Sequence, residues 1–243
     1  MNIPFSVESI GKNAFNYCRT LETLTIPASV NSIGEKAFGY CLNLKSVIVE
    51  DGVREMGNYA FQGCTKLESI RMPKKMDKIG SYVFRNCSSL KYVKVSDGID
   101  YIGSYWFENC CSLESVTISS SVNEVNGSML SNCTNLKAIY CYAESVPTFE
   151  YPEAYKPFEN IPVEQITLYV PKKSIDDYKQ AQYWNSIGNI VAIEDITAVD
   201  KVRSTTIGEV GTVYNTAGQR IQKGIRGLNI LKMSDGTTIK VVK

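Results

Sequence analysis

The chain has 243 residues, 26 basic against 25 acidic side chains for a net charge of +1, and no histidine. That balance gives no electrostatic case for nucleic acid or an anionic membrane surface as a partner, and the lack of histidine removes the commonest general base and metal ligand. No stretch approaches the roughly 20 apolar residues needed to span a bilayer, and the first residues lack the basic-then-apolar order of a signal peptide.

The chain opens inside a pattern. Ile3-Pro4-Phe5-Ser6-Val7-Glu8-Ser9-Ile10 matches Ile26-Pro27-Ala28-Ser29-Val30-Asn31-Ser32-Ile33 at six of eight places. Met1 therefore falls in the middle of a repeat, and the sequence reads as part of a longer protein whose beginning, with any secretion signal, lies upstream. A stacked array cut this way leaves an apolar end layer.

Beyond this opening the period is 23 residues. Cys18, Cys41, Cys64, Cys87, Cys110 and Cys133 share one slot. Ile10, Ile33, Met56, Ile79, Ile102 and Val125 open the units. Phe15, Phe38, Phe61, Phe84, Phe107 and Leu130 follow, then Leu21, Leu44, Leu67, Leu90, Leu113 and Leu136. An unbroken period of this length means stacked supersecondary units.

Within one unit, Leu44-x-x-Val47-x-Val49 alternates as a short strand does. Ala37, Phe38 and Cys41 are spaced as on one side of a helical turn. Gly11, Gly34, Gly57, Gly80 and Gly103 hold a slot where a backbone angle reserved for glycine is expected. Pro27 and Pro73, or Asp51-Gly52 and Asp97-Gly98, bend the chain after the strand. About eight side chains per unit point inward, too many for 23 residues to enclose alone. Stacked strands would pair in a parallel sheet at about 4.8 Å spacing. The residue after each repeat leucine alternates in sign through Glu22, Lys45, Glu68, Lys91, Glu114 and Lys137, a register aid along the stack.

The pattern Ile-Gly-x-x-Ala-Phe-x-x-Cys-x-x-Leu-x-x-Ile-x-Ile-Pro-x-Ser-Val resembles the BspA-like leucine-rich repeat, common in surface proteins of Bacteroidetes and other host-associated microbes. The resemblance covers residues 1–141 and implies an α/β repeat fold, a leucine-rich solenoid with a parallel sheet on its concave side. It also implies a cell-surface or secreted, adhesin-like, non-enzymatic protein whose partner is a host or bacterial surface protein or glycan. The sixth unit departs from the pattern with Asn126, Met129 and Leu130, as a terminal unit should.

Residues 142–194 read as a degenerate terminal repeat and capping segment. Its irregular loop spans 143–164 around Phe158, and its short helix begins at the N-cap candidate Ser174, with Ile175, Tyr178 and Ala181 facing the last layer. Residues 195–243 read as a small all-β module. Asn215-Thr216-Ala217-Gly218 and Ser234-Asp235-Gly236 mark hairpin turns, and 210–243 resembles the C-terminal sorting and anchoring domains of secreted Bacteroidetes proteins, although it is short for a complete sandwich.

Chemistry is thinly represented. The ladder cysteines lack C-x2-C spacing and occupy an inward slot, so buried free thiols are expected, with no metal and no cofactor. Cys111 lies off the ladder and is expected to be accessible, and Cys141 fills a buried strand slot. Asn86 and Asn132 precede Cys-Ser and Cys-Thr, but these triplets follow from the repeat. No catalytic residue is assigned. The outward strand positions form two rows: Thr23, Ser46, Ser69, Tyr92, Ser115 and Ala138, then Thr25, Ile48, Arg71, Lys94, Thr117 and Tyr140. Arg71, Tyr92, Lys94, Thr117 and Tyr140 are the ligand-binding candidates on the concave face. Tyr59, Tyr82 and Tyr105 form a second aromatic file, read as stacking between units. Two rivals stand beside this reading: an architectural spacer, and a hydrolase using Glu144, Glu150 and Glu153 in the 143–164 region.

Overall fold

A computed structural model of the chain describes residues 1, 3–154 and 156–193, and beyond them the backbone of four strands. Two compact units separate, Met1–Ile196 and Thr197–Lys243. The first is a solenoid of about eight turns. Its eight-stranded sheet is parallel throughout and runs Thr23–Ile26, Ser46–Val49, Ser69–Arg71, Tyr92–Lys94, Ser115–Ile118, Ala138–Cys141, Thr167–Val170 and Asn189–Ala192. Register advances by 23 residues at each of the first five steps, Thr23 to Ser46 to Ser69 to Tyr92 to Ser115 to Ala138. The leucines and strand residues at the period-two positions are buried.

A second parallel layer is made by the unit openers. Ser9–Ile10, Ser32–Ile33, Glu55–Met56 and Lys78–Ile79 form one sheet, and Tyr101–Ile102, Glu124–Asn126 and Thr148–Glu150 form another. The interruption falls where Trp106 occupies the slot held by Ala14, Ala37, Ala60 and Val83. The indole is fully buried, and the two turns stay bonded beside it, Tyr82 N–H to Ser104 O at 2.9 Å and Phe84 N–H to Trp106 O at 3.0 Å. The indole Nε1–H donates to the Gly80 carbonyl at 2.6 Å.

The expected helical turn is absent, and the only α-helix among the described residues is Ile175–Gln180. The α/β expectation is thereby corrected to a β-solenoid. Between opener and cysteine, alternate N–H groups take two kinds of partner. Phe38 N–H reaches Ala60 O on the next turn at 2.8 Å, and Tyr40 N–H reaches Gln62 O at 2.6 Å. Ala37 and Gly39 bond back within the turn, to Gly34 and Lys36. This arrangement places two residues per unit at positive φ. One slot holds Asn13, Lys36, Tyr59, Tyr82 and Tyr105, and the other Tyr17, Tyr40, Gly63, Asn86, Asn109 and Asn132. A helix needs φ of one sign throughout, so local apolar spacing alone misassigned the segment.

The glycine slot also has a different cause. Gly34 and Gly57 are not at positive φ. A Cβ on Gly57 would lie 2.6 Å from Glu35 N, and one on Gly34 2.6 Å from Lys12 N. Glycine is needed there because consecutive turns approach backbone to backbone.

The core repeats like the sequence. Phe15, Phe38, Phe61, Phe84 and Phe107 stack with centroids 5.2, 5.2, 6.0 and 5.7 Å apart. The thiols of Cys41, Cys64, Cys87, Cys110 and Cys133 each donate to the carbonyl of the phenylalanine 26 residues earlier, at 3.1–3.2 Å. The cysteine slot therefore combines a small apolar body with a weak second donor to a carbonyl, which at Phe15, Phe61, Phe84 and Phe107 also accepts the backbone N–H three residues on. All eight cysteines are free; Cys18, on the first layer, is only partly buried. Asn109 Nδ2 donates to Asn86 Oδ1, Asn132 to Asn109 and Asn160 to Asn132, at 2.8, 2.8 and 3.0 Å, which engages both Asn-Cys-Ser/Thr triplets in a ladder. The alternating charges pair by twos: Lys45 with Glu22 at 2.8 Å, Lys91 with Glu68 at 3.6 Å and Lys137 with Glu114 at 3.2 Å.

The far end is closed by aromatics. Phe149, Phe158, Tyr178, Tyr183 and Trp184 pack together, and Trp184 Nε1–H donates to Pro147 O at 2.8 Å. Stacking does not end at the sixth unit: Ala138–Cys141 pairs with Thr167–Val170, which pairs with Asn189–Ala192. Ser174 precedes the helix, but its hydroxyl makes no cap bond; it donates to Glu144 O at 2.7 Å. Tyr178 is fully buried, donates to Ala143 O at 2.9 Å and lies 3.2 Å from Cys141 Sγ.

In the second unit, Arg220–Ile221, Val210–Tyr214, Leu228–Met233 and Thr238–Val242 lie in that order in an antiparallel sheet. The segments expected to form its hairpin turns, 215–218 and 234–236, lie outside the described residues.

Candidate functional site: the outward strand face

The parallel pairing sets two outward rows across the eight-stranded sheet. One runs Thr23, Ser46, Ser69, Tyr92, Ser115, Ala138, Thr167 and Asn189, and the other Thr25, Ile48, Arg71, Lys94, Thr117, Tyr140, Tyr169 and Val191. Strand alternation aims these side chains away from the core. Adjacent sites therefore repeat at about 4.8 Å.

The five candidates divide into two groups. Arg71 and Lys94 are exposed and Tyr92 is half-buried, and the three lie on neighbouring strands. Thr117 and Tyr140 are buried, at 5% and 6% exposure, and Tyr140 stacks on Tyr169 at 4.6 Å between centroids. The row is thus open at Thr25, Ile48, Arg71 and Lys94, closed at Thr117 and Tyr140, and partly open at Tyr169 and Val191. Tyr169 lies beyond the sixth unit, where the 23-residue count fails: Tyr140 to Tyr169 is a 29-residue step. The aromatic pair was therefore missed in the sequence.

The tyrosine file on the other side stacks as expected. Tyr59 lies 4.6 Å from Tyr82, and Tyr82 5.0 Å from Tyr105, between centroids. Lys36 Nζ sits over the Tyr59 ring, and the Arg85 guanidinium over Tyr82 and Tyr105 while pairing with Glu108. These are contacts from turn to turn within the solenoid.

The carboxylates considered for hydrolysis have separate partners. Glu144 pairs with Lys173 at 2.7 Å. Glu150 accepts from the Tyr101 hydroxyl and lies 3.4 Å from Asn126 Nδ2. Burial, then the Glu150 contact, pushes the Tyr101 phenol up to about 12. Glu153 is exposed. Among the described residues no three His, Cys, Asp or Glu side chains are grouped to hold a metal ion. Burial raises the thiols of Cys87, to about 12, and of Cys110 and Cys133, which keeps these three protonated, whereas the contact with Cys64 lowers Cys41. Cys111 is exposed, as its place off the ladder foretold. Among the described residues no helix is long and apolar enough to cross a membrane.

The model of the BspA type leucine rich repeat region, in six copies, matches residues 8–137 and 55–187. The chain belongs to the BspA-type leucine-rich repeat family. Solved structures agree with this BspA-type assignment. A leucine-rich repeat protein of Treponema pallidum is 30% identical with a TM-score of 0.54, over 59% of this chain and 66% of that one. A leucine-rich repeat protein of Bacteroides ovatus is 26% identical with a TM-score of 0.55, over 79% and 53%. A leucine rich cell surface protein of Faecalibacterium prausnitzii, at 20% identity and TM-score 0.52 over 96% and 48%, shares the fold. The chain spans about half to two-thirds of the length of these proteins. No curated protein matches.

Proposed function

We propose that this BspA-type chain is a non-enzymatic binding protein of the cell surface or a secreted one, recognising a host or bacterial surface protein or glycan on the concave face of its solenoid. The observation that carries the reading is the open part of that face, where Arg71, Tyr92 and Lys94 lie side by side on adjacent strands. Arginine and tyrosine are the side chains most often found at binding hot spots, and curved solenoids bind through such extended faces. Surface placement is supported by the F. prausnitzii likeness, named a cell surface protein, and by one to a pneumococcal vaccine antigen. A role for residues 195–243 in sorting or anchoring is supported by the sequence likeness over 210–243, and the division at 141 and 194 is part of the same proposal.

The test is binding of the full chain to immobilised matrix proteins and polysaccharides, compared with a variant carrying Arg71→Ala, Tyr92→Ala and Lys94→Ala together. Loss of a measured interaction supports the reading. Undiminished binding by the triple variant would move the site off these strands.

A further inference from the structure

The eight strands offer sixteen outward positions, two per strand, and these hold two cations and no carboxylate. The cations are neighbours. Ser69 pairs with Tyr92, so Arg71 falls beside Lys94 on the next strand, both exposed. Elsewhere most charged residues one turn apart are of opposite sign, although Asp77 and Asp100 repeat a like charge at the same 23-residue step. Lys12 meets Glu35, Lys45 meets Glu22, Lys74 meets Asp51, Arg85 meets Glu108, Lys91 meets Glu68 and Lys137 meets Glu114, each a 23-residue step apart. Arg71 and Lys94 have no ion pair or hydrogen bond among the described residues. Like charges directly opposite in a sheet are destabilising. Nor does the pair follow from general basicity, since the chain is balanced at +1. The sheet therefore carries an uncompensated positive site at a cost to its own stability, and an anion is the partner that relieves it.

The surroundings select the kind of anion. Thr23, Thr25, Ser46 and Ser69 extend from the cations as hydroxyls, with the exposed Ile48 next to Arg71, and Tyr92 adds a half-buried phenol ring. Hydroxyls and an aromatic face suit sugars, which offer hydroxyls at the edge and C–H groups on the face. An extended acidic peptide would instead seek backbone pairing at a strand edge, and on this face the backbone groups are already paired within the sheet. We infer that the third and fourth strands of the concave face bind an acidic polysaccharide, with its sulfate or carboxylate groups at Arg71 and Lys94 and its rings against Tyr92 and the hydroxyl rows. The inference rests on the concave-face reading above.

The experiment measures binding of the full chain to heparin, polygalacturonate, neutral dextran and poly-L-glutamate at two salt concentrations. Heparin or polygalacturonate should bind, more weakly at high salt, and dextran and poly-L-glutamate at least tenfold more weakly. Arg71→Thr and Lys94→Thr should each weaken glycan binding about tenfold, the scale of one charge-assisted hydrogen bond. Neither should lower the urea midpoint of unfolding, because each removes a repulsion. Lys12→Thr, on the convex side, should leave binding intact. Equal binding by a variant carrying both Arg71→Thr and Lys94→Thr, by dextran or by poly-L-glutamate overturns the inference. So does failure of both acidic glycans, and in that case a protein or neutral-glycan ligand lost in the Arg71, Tyr92 and Lys94 triple variant would leave the broader reading standing.

Discussion

Gly11 and Gly57 occupy the same slot of the repeat, yet alanine should affect them oppositely. Neither is at positive φ. At Gly57 the added Cβ would lie 2.6 Å from Glu35 N and 2.8 Å from Gly34 C, both backbone atoms that cannot rotate away. Relief requires prising two turns apart against the bond from Gly57 N–H to Ile33 O, 2.8 Å long. Overpacking of this kind costs about 1–3 kcal/mol. At Gly11 nothing lies within 4 Å of the same Cβ. There the loss of unfolded-state freedom should leave the protein unchanged or more stable by about 0.4–1 kcal/mol. The assay is urea unfolding followed by far-ultraviolet circular dichroism. With a urea slope of about 1–3 kcal/mol/M, Gly57→Ala should lower the midpoint by roughly 1 M, and Gly11→Ala should not lower it. Equal losses at the two sites would mean that the slot is held for its backbone angle, and the close-approach account would be wrong.

Three further outcomes follow from the ladders. Thiol titration of the native protein at mildly alkaline pH should find Cys111 reacting first and the buried ladder cysteines reacting only on unfolding; rapid native labelling of Cys87 would contradict its burial. Because the Cys87 thiol and the Tyr101 phenol are raised to about 12 in the fold, their contribution to stability is whole below their unfolded pKa values, about 9 and 10, and is lost as pH climbs toward 12. Unfolding titrations should show stability falling from about pH 9 upward, and a flat profile to pH 12 would exclude this linkage. Asn109, at φ 61°, bonds to both Asn86 and Asn132. Asn109→Ala should therefore cost about 1–3 kcal/mol and Asn109→Gly less, since glycine keeps the backbone angle; equal costs in urea unfolding would assign the whole effect to the amide ladder.

The repeat made the architecture legible because every inward slot recurs with one residue type, so period, strand and burial could be read together. The segment between opener and cysteine was not legible. Ala37, Phe38 and Cys41 are spaced as on a helix, and only the tolerance of asparagine and glycine for positive φ at Asn86, Asn109, Asn132 and Gly63 hinted otherwise; the tyrosines in the companion slot hid that hint. The hydroxyl of Ser174 was assigned from local sequence, but a carbonyl 30 residues away at Glu144 took it. On the outward strand rows, Arg71, Tyr92 and Lys94 could be placed from register alone. The burial of Thr117 and Tyr140 could not, because the Tyr140–Tyr169 stack crosses the step where the period lengthens.

The loops after the strands fit into one another from turn to turn, through contacts that join Ala28, Glu50, Asp51, Gly52 and Lys74. A Cβ on Gly52 would fall 1.7 Å from Ala28 O, while Glu50 accepts from Ala28 N–H and Asp51 from Lys74 N–H, both at 2.9 Å. The rim charges follow a beat of two turns, pairing 22 with 45, 68 with 91 and 114 with 137. Growing or shrinking such a tower by a single storey would set acid on acid, or base on base, whereas two storeys, 46 residues, keep the beat of the rim charges.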